Sequence, residues 1–219
     1  MAIVTCCKRL AVVPQTCPCF SPLEIPGSIL ELKGEILMAT HRITAISVAL
    51  ITIASLAFPT MASAGSCGPS ADQQISSTQQ IAQRQATACL INEVRASHHL
   101  RKLHSDARLA VSAIRYSQRL VANRFFAHVD AITHSTIETR DRGYTAGAAI
   151  WALGENLAWA TGARSTPRQI LAMWMASPGH RENLLDPQWN DLGVGVALGT
   201  PVGASGATYS AEFGIRAKA

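Results

Sequence analysis

The stretch LGVGVALGTPVGASGATYSAEFG, residues 192–214, carries the strongest strand signals of the chain. Short runs of β-forming residues at 192–198 and 207–214 lie on either side of a glycine-rich turn, a pattern typical of paired strands. A shorter run at 156–160 predicts one more strand. These segments would form a small sheet near the C-terminus.

Three segments that precede or separate these strands have helical periodicity. The first spans 79–97, and the second runs from Asp106, which can act as an N-cap, to about residue 123. The third begins at Thr166, an N-cap followed by proline, and stops at the SPG of 177–179. Helices around a few short strands predict an α+β fold with a small antiparallel sheet covered by helices.

An export signal precedes this domain. The uncharged apolar run ITAISVALITIASLAF, residues 43–58, follows the basic MATHR of 38–42. Ala62 and Ala64 take the −3 and −1 positions of a cleavage site after Ala64. This arrangement predicts a secretory signal peptide over 38–64. The alternative is a membrane anchor, because the run has a borderline length for a span.

The 37 residues upstream of this signal show no helical or strand periodicity. Because a secretory signal begins at the first residue, we expect translation to start at Met38 and 1–37 to be a mis-called, disordered extension. Four of the six cysteines lie there, without partners at zinc-finger spacing. We therefore predict a mature chain of 65–219, with a short leader over 65–78 and the folded domain over 79–219.

Composition limits the function of this mature chain. It has 155 residues, with 15 Lys and Arg against 11 Asp and Glu, a net charge of +4. Its scattered arginines and its export argue against a nucleic-acid partner. The apolar content, 48% of the full chain, excludes a disordered protein, and the lack of further long apolar runs excludes a multi-span membrane protein. We expect a secreted or cell-surface protein, monomeric and not membrane-spanning once mature.

Two cysteines remain after export, Cys67 and Cys89. In an oxidising compartment the economical interpretation is one disulfide that joins the leader to the first helix. The alternative is lipidation of Cys67, although the residues before it lack the usual leucine.

Three polar residues stand out as candidates for a cleft. His128 follows Phe125 and Phe126, which can anchor the chain so that the imidazole projects inward. His180 lies in the SPGHR turn after the third helix. Glu155 is flanked by apolar residues on both sides, so we expect it to be buried, and a buried carboxylate needs a cationic or donor partner.

Several stretches together resemble the CAP superfamily, also called the SCP domain: cysteine-rich secretory proteins, antigen 5 and pathogenesis-related 1. The resemblance covers most of 80–214, and within the family the sequence is most similar to the compact single-domain bacterial branch. It is carried, in the family's order, by LINEVRASHHL (90–100), HSDARLAVSAIRYSQRLVANRFFAHVD (104–130), GENLAWA (154–160), WMASPGHRENLLDPQWNDLGVGVA (174–197) and YSAEFG (209–214).

The resemblance implies a three-layer α-β-α sandwich with a central cleft lined by two histidines and two glutamates, which hold a divalent cation in some members. His128, Glu155 and His180 fall on three of these positions. The fourth is Ser177 here, so one carboxylate is missing, and Glu182 does not map onto it. Asn156 and Arg181 are expected to support the turns through hydrogen bonds.

Two function classes follow. One is an extracellular binding or interaction module without turnover, since no activated nucleophile motif is present; the resemblance makes a lipid, a sterol or a cell-envelope component a conceivable partner. The other is a metal-dependent hydrolase or peptidase in which zinc, held by His128, Glu155 and His180, activates water. A plain hydrogen-bonded cluster of the same three side chains is the competing interpretation of the cleft.

Overall fold

The computed structural model describes residues 2–10, as backbone, and 67–217. The predicted signal peptide over 38–64 and most of the predicted extension lie outside the described residues. Residues 2–10 form a strand, so our expectation of no regular structure over 1–37 is wrong for these nine residues. The segment contains β-forming residues and pairs with another strand at the edge of the sheet. A pairing with a distant part of the chain cannot be recognised from a local sequence pattern.

Helices make up most of the described chain between residues 80 and 185. Their bounds are α1 Gln80–Ser97, α2 Ala107–Ala122, α3 Ile137–Arg140, α4 Arg142–Thr145, α5 Pro167–Ala176 and α6 Pro178–Leu185. The two predicted N-caps act as such: Asp106 accepts from the backbone N–H groups of Arg108 and Leu109, and Thr166 accepts from that of Gln169. These bonds satisfy N–H groups that the first helical turn leaves free.

One predicted stop is instead a corner between two helices. α5 ends at Ala176, at the predicted stop, but Pro178 starts α6 almost at once. His180 therefore lies in the first turn of a helix and not in a loop turn. Proline suits the first helical position because its missing N–H would have no partner there. The SPG segment therefore marks both the end of α5 and the beginning of α6.

The strands form one sheet across the described residues. Their bounds are β1 Ala2–Leu10, β2 His104–Ser105, β3 Ile150–Ala160, β4 Asp191–Leu198 and β5 Ala207–Ala217, in the spatial order β1-β3-β5-β4-β2. Neighbours are antiparallel except β2, which pairs parallel with β4. The late strands match the predicted 192–198 and 207–214 closely, while β3 begins six residues before the predicted 156–160.

Helices cover both faces of this sheet, which makes the predicted α-β-α sandwich. Side chains alternate between the faces of a strand, so odd and even positions of β3 serve different cores. Ala152 and Ala158 face a large core that includes Leu90 of α1 and Trp174 of α5. Leu157 faces α2 on the other side. The two layers thus take α1, α5 and α6 on one face and α2, α3 and α4 on the other.

The predicted disulfide between Cys67 and Cys89 is confirmed, with a Cα–Cα distance of 5.6 Å. It joins the leader to α1, and Ala71 of the leader is completely buried. Arg168 of α5 also forms an ion pair with Asp72, at 2.7 Å. The leader is therefore packed against the domain and is not a free tail. The sequence predicts a domain that starts at residue 79, but residues before this position contribute to the core of the domain.

No helix among the described residues combines the length and the apolar character that crossing a membrane requires.

Candidate functional site

Glu155 lies in the middle of β3, and its side chain is completely buried. The expected partners are present on both oxygens. The His128 ring nitrogen Nδ1 lies 2.7 Å from Oε1, and the Arg140 guanidinium donates to Oε2 at 2.5 Å. A buried carboxylate without such partners would lose the free energy of hydration and gain no interaction that offsets the loss. In the cluster of His128, Arg140 and Glu155, each carboxylate oxygen therefore has a partner.

His128 reaches this carboxylate because hydrophobic contacts fix the chain after α2. Phe125 and Phe126 pack against Tyr116, Leu120 and Leu157, as their position before the histidine suggested. The imidazole is 13% exposed, and its Nε2 atom has no hydrogen-bond partner among the described residues.

Arg140, at the end of α3, was missed by the sequence analysis. Besides Glu155 it donates to the backbone carbonyls of His128, at 2.9 Å, and Ser135, at 3.2 Å. Its guanidinium lies 3.5 Å from the ring centroid of Tyr116, a cation–π contact. Burial alone would lower the pKa of Arg140, but the facing Glu155 carboxylate and other nearby acidic groups outweigh it and raise that pKa. The guanidinium stays charged and is held on several sides.

A second acidic pair lies beside the first cluster. Glu212 of β5 is directly opposite Glu155 of β3 and is fully buried. Burial, followed by the charges of Asp141 and Glu155, raises its pKa well above the usual value, and burial raises the pKa of Asp141 to about 6. Its environment thus favours the protonated form of Glu212, and the Ser112 hydroxyl donates to Glu212 Oε1 at 3.3 Å. In the sequence, the one indication of a buried carboxyl group at this position is that Glu212 lies inside a run of β-forming residues.

His180 belongs to a separate hydrogen-bonded group. Its Nδ1 lies 2.8 Å from the Ser177 hydroxyl, and its backbone carbonyl accepts from the Asn156 amide at 3.0 Å. Asn183 in turn donates to Asn156. Arg181 donates to the Met175 carbonyl at 3.3 Å, across the corner between α5 and α6. These bonds hold α6 against β3 and fix where the imidazole lies.

The predicted metal ligands do not form a metal site as they stand. Within the described residues, the donor atoms of His128, Glu155 and His180 do not all lie within 4.8 Å of one another; the one group that meets this distance is the disulfide with Glu93. Sulfurs already joined in a disulfide are not thiolate ligands. Both oxygens of Glu155 are already engaged by His128 and Arg140. In this arrangement Glu155 has no oxygen without a protein partner to offer a divalent ion.

A groove of about 600 Å³ lies next to the cluster, between α2 and the segment 135–144. Arg108, Arg115 and Arg119 of α2 line it, and Arg140 and Tyr116 connect it to the buried cluster. Exposed Val111 adds an apolar patch to its wall. The groove thus combines cationic and apolar surface at one end of the site.

Two curated proteins of Bacillus subtilis (strain 168) are similar in sequence. The uncharacterized protein YkwD is 30% identical over 124 residues, which is 57% of this chain and 44% of that protein. The uncharacterized membrane protein YlbC is 32% identical over 107 residues, 49% of this chain and 29% of that protein. The chain spans less than half the length of either relative.

Two solved structures share the fold. An outer surface protein from Borrelia burgdorferi has a TM-score of 0.53 at 21% identity, and the match covers 67% of this chain and 99% of that protein. An extracellular protein containing a SCP domain from Bacillus anthracis str. Ames has a TM-score of 0.51 at 28% identity, over 64% of this chain and 44% of that protein.

The family model described as the cysteine-rich secretory protein family, CAP, matches residues 88–210, more than half of the 219 residues. That range includes α2, β3, α5, α6 and β4, and with them His128, Arg140, Glu155 and His180. The chain belongs to the CAP family of cysteine-rich secretory proteins.

Proposed function

We propose that this chain is an exported, non-catalytic binding module whose ligand is an amphipathic anionic component of the cell envelope, such as an acidic lipid. The observation that carries the proposal is the groove beside α2, which places arginines next to exposed apolar surface. Export is supported by the signal peptide predicted over 38–64. The two solved relatives described above are an outer surface protein and an extracellular protein by their own descriptions.

The charges of the groove suit a negatively charged headgroup. Arg108 forms an ion pair with Asp106, and Arg119 forms one with Asp130. Arg115 lies between them on the same face of α2 and has no ion pair among the described residues, so its charge is available to a ligand. Arginine is a strong partner for phosphate and carboxylate groups because its donors match two oxygens at once. The apolar wall at Val111 would meet the start of an acyl chain.

Binding to lipid vesicles tests the proposal. We expect the full-length chain to bind vesicles that contain an acidic phospholipid more tightly than vesicles of phosphatidylcholine alone. Arg115→Glu should weaken binding to the acidic vesicles about tenfold, because each basic residue near an anionic surface contributes on the order of 1 kcal/mol.

Arg84→Glu is the matched control, since Arg84 lies on α1, which covers the opposite face of the sheet, and the change in net charge is the same. If both variants lost the same amount of affinity for acidic vesicles, the change in net charge alone would explain the result, and a role for the groove would be contradicted. The absence of binding to either kind of vesicle would remove the proposed ligand class.

The alternative, a metal-dependent hydrolase or peptidase using His128, Glu155 and His180, receives less support from this geometry. It needs the three side chains to hold one divalent cation, and Glu155 is already bound by two protein groups. Peptide cleavage that a chelator abolishes, and that is lost in both His128→Ala and His180→Ala, would establish this alternative over the binding module.

A further inference from the structure

We propose that Arg140 is the built-in cation of this cleft and that its guanidinium keeps divalent metal ions away from Glu155. The inference concerns the chemistry of the cleft and does not depend on which ligand the neighbouring groove takes.

The charges in the cluster already balance without an ion. Glu155 is fully buried and Arg140 is 9% exposed, so the pair is screened little by water. One guanidinium faces one carboxylate, and His128 occupies the remaining oxygen. A divalent ion that bound Glu155 would have to displace at least one of these groups from its oxygen and would place a double positive charge next to a fixed single one. Both changes are unfavourable in a site of low dielectric.

The position of the Arg140 guanidinium is fixed by several contacts. Its guanidinium is held by two backbone carbonyls and by the face of the Tyr116 ring, as well as by Glu155. The Tyr116 hydroxyl donates to the Ala127 carbonyl at 2.6 Å, which fixes the ring that Arg140 lies on. Moving the guanidinium away would leave a charge without a partner in the interior, a costly state. The position of the cation is therefore set by the fold.

Ser177 is consistent with a cleft that lacks a metal. The family resemblance would place a second carboxylate at this position, and the serine hydroxyl here bonds to His180 Nδ1 instead. The serine thus leaves Glu155 as the one carboxylate among the predicted cleft residues.

Zinc titration of designed variants separates this proposal from a simpler explanation, in which the cleft lacks metal only because one ligand is missing. In the full-length chain, zinc affinity is measured by competition with a chromogenic chelator. Each protein is compared with the same protein carrying His128→Gln, so that binding by surface histidines or cysteines cancels. Folding is checked by circular dichroism.

We expect the wild type and Ser177→Glu to show no His128-dependent zinc binding, that is, less than a twofold effect of His128→Gln. The double variant Arg140→Met with Ser177→Glu should gain a site that His128→Gln weakens at least about tenfold. If Ser177→Glu alone creates a His128-dependent site, the missing carboxylate is the cause and the proposal is wrong. A His128-dependent site in the wild type would overturn it as well.

Arg140→Met leaves Glu155 without its cation and destabilises the fold. Ser177→Glu keeps Arg140 in place, so its titration decides between the two explanations even if the double variant does not fold. Arg140→Lys, which keeps the positive charge, should behave as the wild type does with zinc, and zinc binding by that variant would contradict the proposal.

Discussion

Glu155 and Glu212 lie opposite each other on neighbouring strands, and the protein accommodates these two buried carboxyl groups differently. Glu155 forms an ion pair with Arg140, whereas Glu212 has no ion pair among the described residues, and burial raises its pKa well above the usual value. Two like charges this close in a buried site raise the pKa of at least one of them. The difference in partners explains why Glu155 pairs with a guanidinium and why the protonated form of Glu212 is favoured.

The raised pKa of Glu212 makes stability depend on pH. Above about pH 4.5, the usual pKa of the group, the unfolded chain releases this proton and the folded chain keeps it, so the folded state binds more protons and stability falls as pH rises. Glu212→Gln mimics the protonated form and removes this dependence. We expect the urea midpoint of the variant, relative to that of the wild type, to rise between pH 5 and pH 8.

Glu182→Gln, at an exposed position on α6, is the control and should follow the wild type at both pH values. Asp141 adds a decline of the same sign up to its folded pKa of about 6 and is intact in all three proteins. Parallel curves for the wild type and Glu212→Gln would show that Glu212 is ionised in the folded protein.

The sequence allowed part of this residue-scale chemistry to be predicted. The apolar flanks of Glu155 implied burial and hence a partner, and the structure supplies two. The identity of the second partner did not follow, because Arg140 ends a four-residue helix that has too few turns to show periodicity. His128 and His180 were both marked as members of one cleft. His128 binds the Glu155 carboxylate, whereas His180 is held through Ser177 and Asn156.

At the scale of elements, α2 packs directly against the backbone of β4. Gly193 and Gly195 both point at α2, and an added Cβ would lie 2.2 Å from the Leu109 carbonyl carbon and 2.0 Å from the Ala113 oxygen. The glycines of LGVGVAL therefore let a helix backbone rest directly on the sheet. The sequence predicted the strand, but these glycines reveal their role only when the facing helix is known.

Gly195→Ala should separate α2 from β4. Because the obstructing atoms belong to backbone and not to a flexible side chain, we expect a loss of about 3 kcal/mol or more in the free energy of unfolding. Gly143→Ala is the control: apart from its chain neighbours and the backbone of its own helix, no atom lies within 4 Å of its added Cβ, and alanine favours the helix it lies in. Urea unfolding of both variants checks this, and equal stability of the two would contradict the close approach of α2.

For the whole molecule, the N-terminal boundary is the part that local patterns predicted least well. The polar composition of 65–78 suggested a leader outside the domain, but Ala71 is buried and Gln83 of α1 donates to the Gln73 carbonyl at 2.8 Å. The strand β1 was also missed, because its pairing with β3 joins residues more than 140 positions apart. Contacts between distant segments leave no periodic signature, so neither could be inferred from spacing.

The disulfide between Cys67 and Cys89 should be the main covalent contribution to the stability of this boundary. It closes a loop with a sequence separation of 22, for which the loss of chain entropy in the unfolded state corresponds to about 3 kcal/mol. With Ser at positions 6, 7, 17 and 19 in both proteins, Cys67→Ser with Cys89→Ser should melt about 6–12 °C lower. Reductant should lower the melting temperature of the disulfide-bonded protein toward that value and leave the double variant unchanged. If reductant has no effect on either protein, the leader is held by its packing against α1 and α5 alone, and the contribution assigned to the disulfide is wrong.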